Sequence, residues 1–386
     1  MLRIAMVLVL YLAGPFLIIW LYRKYKTLSK VGTIVLAYAL GILMSLSGLT
    51  GENLAGAETL ASLQGSLQNI CIPLALPLML FSSDFRLWIK SLGRTFVVFL
   101  CGIVAVGMAV TLAFLLFKGS DVVELEKAAG LMMGFYTGGT PNVASLKMAL
   151  QPSSETFVLV NTFEIFITFF LLAFLVGGGY RIVRRVLPYV PDKVTDMGES
   201  MSFEDYSGMM RWAVLKRLLL PFFCALGVCL IAAGISFLWV EPDYRVISVI
   251  LVVTTLSIIC SFWEKLRRTP KMFELGMYFI LVFSIIVASQ FSIAKVGAST
   301  YSLLLFIATV LLLCLFFHFL LAKLCRVDAD LFTISVVGLV FSPPFVPTVA
   351  GLMKSRRCLL SGIMVGLLGY AVGNYLGVAM YLLVSM

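Results

Sequence analysis

Ten stretches of roughly 20 apolar residues follow one another along this chain, near 4–22, 31–49, 62–82, 95–117, 156–178, 216–239, 245–263, 272–291, 299–321 and 358–383. About 20 apolar residues is what a helix needs to cross the hydrocarbon of a bilayer. No water there can satisfy backbone N–H and C=O groups, so such a stretch must form its hydrogen bonds within itself, as a helix does. Composition agrees: 61% of the 386 residues are hydrophobic and 12% are charged, against about 45–50% and about 25% in a soluble globular chain. One core cannot hide that much apolar surface from water. The expected fold is an all-α integral membrane protein.

The net charge of +10 would suggest nucleic acid in a soluble chain. Here the basic residues sit in short connections between apolar runs, which is the positive-inside pattern of membrane topology, and no nucleic-acid partner is expected. The eight cysteines form no CxxC pair and mostly lie within apolar runs. Packed free thiols fit them better than disulfides or a metal site. The apolar run after Arg3 is too long for a typical leader and reads as the first spanning helix.

Two further apolar stretches, near 124–150 and 330–353, carry helix breakers at their centres: Thr137-Gly138-Gly139-Thr140-Pro141-Asn142 and Ser342-Pro343-Pro344-Phe345-Val346-Pro347-Thr348. Backbone that leaves helix geometry at membrane depth is tolerated only where protein or a watery cavity shields it. The halves also resemble each other at an offset of about 206 residues, with Pro141-Asn142-Val143-Ala144-Ser145-Leu146 falling on Pro347-Thr348-Val349-Ala350-Gly351-Leu352. Basic clusters lie at 23–30, 86–94, 181–217, 265–271, 323–326 and 354–357, and acidic or neutral connections between them. All basic loops share one side if each broken stretch enters and leaves the membrane on the same side. The alternative is a broken helix that crosses fully, with one loop violating the charge rule. With hairpins, each half has five crossings; five is odd, so the halves are inverted. The expected organisation is a first inverted repeat over 1–185, a cytoplasmic linker over 186–212 and a second repeat over 213–386, in the plasma membrane (the inner membrane of a bacterium).

Three segments carry a family resemblance. Gly130-Leu-Met-Met-Gly134-Phe-Tyr136-Thr137-Gly138-Gly139-Thr140-Pro141-Asn142 resembles the first-half signature of domain-of-unknown-function family 819. Gly366-Leu-Leu-Gly369-Tyr370-Ala371-Val372-Gly373-Asn374-Tyr375-Leu376-Gly377 resembles its glycine-rich final helix, and Leu74-Ala-Leu-Pro77-Leu-Met-Leu-Phe81 with Asp84-Phe85-Arg86 is similar to another of its segments. That family is placed by similarity among relatives of the cation/proton antiporters and the sodium-coupled anion symporters. The resemblance implies a two-domain carrier with inverted repeats. Related carriers are often dimers, so a homodimer is the implied assembly. The three prolines of the second break depart from the family's usual glycine- and asparagine-rich pattern.

At the first break, Gly138 and Gly139 supply backbone freedom. Thr140 is placed to cap a new helix and Pro141 suits its first turn. That half-helix would aim free N–H groups at the membrane centre, an anion site to which Asn142 adds an amide. The second break loses three donors to proline and suits a cation better. The expected substrate-binding set is Thr137, Gly138, Gly139, Thr140, Asn142, Ser342, Thr348 and Asn374. An ionisable residue within a span is costly and so a functional candidate. Glu164 is the leading one, with Asn161 a turn earlier, for a coupling sodium ion or proton; Asn161, Glu164 and Thr168, at spacings of three and four, are placed to line a cavity beside Asn142. Glu274 and Gln290 read as interfacial, His318 as packed or interfacial, and the glycines at 362, 366, 369, 373 and 377 as a helix-packing face. No nucleotide, metalloprotease or nucleophile motif is present, so no enzyme and no cofactor is expected beyond a bound sodium ion. The expectation is an ion-coupled carrier of a small organic anion. The alternatives are a cation/proton antiporter and a non-transporting receptor or assembly protein.

Overall fold

The computed structural model describes residues 2–25, 28, 32–50, 56–82, 93–189, 205–290, 298–353, 355 and 357–386. The middle of the expected linker, 190–204, lies outside the described residues, as do most of the basic clusters at 23–30 and 86–94.

Every apolar stretch named above forms a helix, and no strand occurs among the described residues. Seven helices there are long and apolar enough to cross a membrane: Arg3–Lys24, Ala57–Phe81, Gly93–Phe117, Ser154–Phe174, Trp212–Trp239, Thr300–Leu324 and Cys358–Ser385. Thr33–Leu46, Arg245–Ser261 and Met272–Ala288 are shorter apolar helices at the other three expected positions. Large apolar side chains stand on the outside, with Leu238 and Trp239 more than four-fifths exposed. Water would not tolerate so much of that surface, and lipid does. This is a multi-pass membrane protein.

The chain forms two compact units, and each draws on both halves of the sequence. The first contains Met1–Ser83, Gln151–Thr162 and Tyr206–Gly297. At its centre Met272–Ala288 packs on Ala57–Phe81 and Thr33–Leu46, with Ile280–Ala288 wholly buried. Small residues permit the close approach: a methyl group on Gly41 would lie 2.5 Å from the Ile285 carbonyl oxygen. A buried polar cluster ties three helices together, with the Gln64 amide donating to Tyr11 Oη (2.7 Å) and Tyr11 Oη 2.7 Å from Ser289 Oγ. Gln290, expected at an interface, donates to Gln64 at 3.2 Å, and Glu274 lies 3.7 Å from Lys271 in the first turn of its helix.

The second unit contains Asp84–Leu150, Phe163–Asp205 and Ala298–Met386, and holds both interrupted stretches. Each is a helical hairpin. In a straight helix residues 130 and 150 would stand about 30 Å apart. Instead a methyl group on Gly130 would lie 2.7 Å from Leu150 Cδ1, one on Gly134 would run into Leu146, and one on Gly138 into the Asn142 amide. The arms 125–138 and 140–150 therefore pack antiparallel, reversing at Gly139 (φ 67°, ψ −161°). The second stretch closes likewise. Arg184 donates to Asp330 Oδ1 (2.7 Å) and Oδ2 (3.0 Å), and to the Met353 carbonyl at 2.8 Å. Its two ends thus share one guanidinium, although about 35 Å of straight helix would separate them. The reversal falls at Ser342 (φ 77°, ψ 162°). Of the two threadings the charge pattern left open, the hairpin is the one the chain adopts.

The final helix, Arg357–Ser385, is the rail on which both hairpins lie. Gly362 faces Ile334 and Val346, one residue from each arm of the second hairpin, and Gly366 faces Gly338 and Pro343. Further along, Gly369 faces Thr137 and Gly138, Gly373 faces Asn142, and Gly377 faces Leu146 and Gly130. The glycine spacing thus serves packing, as its pattern predicts.

Candidate functional site

The rail brings the two hairpin tips together inside the second unit. A methyl group on Gly139 would collide with Ser342 Oγ, and its next neighbour is Ser342 Cβ at 3.3 Å. The two reversals also share one backbone conformation, with φ near +70° and ψ close to 180°. That region is open to glycine and strained for any residue with a side chain, by about 1–3 kcal/mol. Gly139 therefore sits there freely, whereas Ser342 is held there by its surroundings.

Around this contact the polar groups divide into engaged and open ones. Thr137 Oγ1 donates to the Met133 carbonyl at 2.7 Å, within its own arm. Asn142 lies four residues beyond Gly138, and its side chain leans back over the tip. Its Nδ2 donates to the Gly369 carbonyl at 2.9 Å. That bond fixes the amide's orientation and leaves Oδ1 fully buried with no hydrogen-bond partner among the described residues. Away from this contact, Tyr136 Oη is buried with no hydrogen-bond partner among the described residues and lies within electrostatic reach of Glu164. The hydroxyls of Thr140 and Ser342 make no hydrogen bond with a described residue, so the cap expected of Thr140 is not formed by its side chain. Buried acceptors and donors left open in this way are uncommon and call for a cause.

Each tip joins the end of one arm to the start of the next. Carbonyl groups of the first arm and N–H groups of the second therefore meet at one place. Reading the sequence as a single half-helix captured only the donors. In the second hairpin Pro343 and Pro344 open the returning arm, so its tip is poorer in N–H groups than the first. The side chain of Thr348, expected at this site, lies outside what the structure describes.

Asn374 is buried on the final helix, a turn beyond the buried Tyr370 and one residue past Gly373. Asn161 and Glu164 behave differently from one another. Asn161, in the first unit, accepts from Tyr38 Oη (2.8 Å) and donates to the Phe157 carbonyl (2.9 Å). Its amide is engaged on both sides. Glu164, in the second unit, is buried and forms no salt bridge with a described residue. Thr168 Oγ1 donates to the Glu164 backbone carbonyl at 2.8 Å. His318 is packed, edge-on to Phe332 at 4.9 Å.

Sequence reading missed the Arg184 clasp, because Arg184 lies among other basic residues in a stretch that reads as a topology signal. It also missed the Gly369 carbonyl as the partner of Asn142, since a main-chain acceptor has no sequence signature.

A helical membrane protein with two hairpins meeting on a glycine rail is the class that fold and site define. The chain belongs to the DUF819 family of proteins of unknown function, whose model matches residues 8–386. It is similar to the uncharacterized membrane protein YjcL of Bacillus subtilis (strain 168), with 23% identity over 377 residues, covering 94% of this chain and 92% of that relative.

Proposed function

We propose that the chain is a secondary active transporter carrying a small organic anion by alternating access, driven by sodium ions or protons. One observation supports this reading: two helical hairpins meet tip to tip, with the Asn142 Oδ1 acceptor buried beside the junction and no hydrogen-bond partner for it among the described residues. Non-helical backbone at membrane depth marks solute and ion sites in carriers. On this reading residues 1–185 and 213–386 are inverted repeats joined by a cytoplasmic linker over 186–212. The hairpin follows the fourth helix in each half, and each compact unit takes corresponding helices from both halves, which supports a repeat.

The first tip, richer in N–H groups, is proposed to take the anionic group of the solute, with Thr137, Gly138, Gly139, Thr140 and Asn142 around it. Ser342, Thr348 and Asn374 complete the site from the second tip and the rail. The proline-rich second tip and Glu164 are proposed to serve the coupling ion. The protein is then a carrier rather than an enzyme, needs no cofactor beyond a bound ion, resides in the inner membrane and works as a homodimer.

A thermal-stability screen of purified protein against organic acids, with sodium, potassium and pH varied, tests this. A ligand that binds the folded state raises its melting temperature by mass action. The expected result is stabilisation by one class of organic anion, abolished by Asn142→Ala, with its ion dependence removed by Glu164→Gln. Full ligand response in both variants would refute the site.

A buried Glu164 with no ion partner among the described residues also favours a second reading, cation/proton antiport. Proteoliposomes separate the two. Cation-driven proton movement in the absence of any organic solute would select the antiporter.

A further inference from the structure

Away from the tips, the second unit holds an apolar cleft of about 320 Å³ with three walls. Leu171 and Phe174 form one, Phe316 and Phe319 a second, and Phe332 and Val336, on the entering arm of the second hairpin, the third. Thr333 is the one polar residue in the lining, and its hydroxyl is already committed to the Ala329 carbonyl at 2.9 Å. Nothing in the cleft offers a polar solute a partner. Phe174 and Phe316 are at least half exposed, so the cleft opens outward, to the side where lipid lies. A wide turn at Leu175–Gly179, with Gly178 at φ 107°, interrupts the first wall between Phe174 and Val183. Insertions of this kind in a helix recur at functional sites.

One end of the cleft is basic. Lys323 lies four residues beyond Phe319 and seven beyond Phe316, so it continues their face of the helix by one turn. Arg326 follows it, and Arg181 and Arg185 stand on the neighbouring helix. All four are exposed, and none forms a salt bridge with a described residue. Arg184 is neutralised by Asp330, and Asp328 caps the hairpin arm through its bonds to the Asp330 and Leu331 N–H groups. Cations remain in excess at this end.

We propose that the cleft binds one acyl chain of an anionic phospholipid whose phosphate is held by Lys323 and Arg326. Basic pockets between membrane helices select anionic headgroups. The chain lies against the entering arm of the second hairpin, so the lipid stabilises that arm. The site is independent of the transported solute.

Delipidated protein in detergent is titrated with phosphatidylglycerol, with phosphatidylcholine of the same chains, and with glycerol phosphate, while its melting temperature is followed. Phosphatidylglycerol is expected to raise it by several degrees more than either of the others. Lys323→Gln with Arg326→Gln is expected to remove the difference, as is Leu171→Trp, which fills the cleft. Equal stabilisation by phosphatidylcholine or by glycerol phosphate overturns the proposal, as does a preference that survives both changes. Independently of stability, Phe316→Trp reports occupancy through quenching by brominated lipids. Stronger quenching by brominated phosphatidylglycerol than by brominated phosphatidylcholine is expected. Equal quenching by both, or none because protein covers the cleft, refutes it.

Discussion

The two hairpins reach the same backbone geometry from opposite starting materials. The first reverses at a glycine and is lined by glycines, so its arms and the final helix approach at backbone distance without strain. The second reverses at a serine in a region that only glycine occupies freely, is followed by two prolines, and is tied at its open end by an ion pair of half-buried Arg184 with buried Asp330. The first is therefore held by packing along its length. The second is held at its base and strained at its tip. A site built from two such tips has one rigid, donor-rich side and one clamped, acceptor-rich side, which is a physical basis for assigning two different ligands to them.

The clasp offers the first test of that contrast. Arg184→Ala leaves the Asp330 carboxylate, 1% exposed, without its bidentate partner and frees the Met353 carbonyl. Breaking a fully buried pair typically destabilises by about 3–5 kcal/mol, and an exposed pair contributes at most about 1 kcal/mol. Loss of this half-buried pair is therefore expected to cost about 2–3 kcal/mol. Adding Asp330→Asn removes the stranded charge and should recover part of the loss. Thermal melting checks both, and proteolysis around 354–357 should accelerate first if the second hairpin loosens at its base. A loss from Arg184→Ala below about 1 kcal/mol would mean that the ion pair does not hold the hairpin, since exposed pairs contribute only that much.

The first hairpin should be most sensitive at its tip. Gly139→Ala forces a side chain into a positive-φ conformation and against Ser342, and is expected to destabilise by roughly 2–4 kcal/mol, combining backbone strain with overpacking. Gly65→Ala is the matched control, because a methyl group there meets nothing within 4 Å. Within a helix that change should be neutral or stabilise by about 0.5–1 kcal/mol. Similar melting curves for the two variants would show that the tips do not touch.

How much of this was legible beforehand divides along physical lines. The spans were readable because bilayer thickness sets helix length, and the hairpins because glycine and proline interrupt an apolar run while the charges require both ends on one side. The rail was visible as glycine spacing, though not which partner each glycine meets. Asn142 was recognisable as a polar residue at a break, but its bond to the Gly369 carbonyl depends on a contact 227 residues away in sequence. Asn161 and Glu164 look like one polar face at helical spacing. Yet Asn161 pairs with Tyr38 in one unit while Glu164 lies in the other, because periodicity records a face and not what packs on it. Ser342 stood out as part of the second break, but its strain carried no signal, since strain is a property of the folded backbone.

That strain gives the smallest effect and the sharpest question. Ser342→Gly removes a penalty of about 1–3 kcal/mol for a side chain at positive φ. It adds back about 0.5–1 kcal/mol, the greater freedom of glycine in the unfolded chain. The net expectation is a stabilisation of about 1 kcal/mol, read as a higher melting temperature in the absence of ligand. The hydroxyl forms no hydrogen bond with a described residue, so its removal should leave that balance intact. If the variant instead melts lower, the serine is not strained and the two tips differ in less than their sequences imply. If it melts higher but loses its response to organic anions or to sodium, then the strained serine is retained for its hydroxyl, and the second tip contacts the ligand directly.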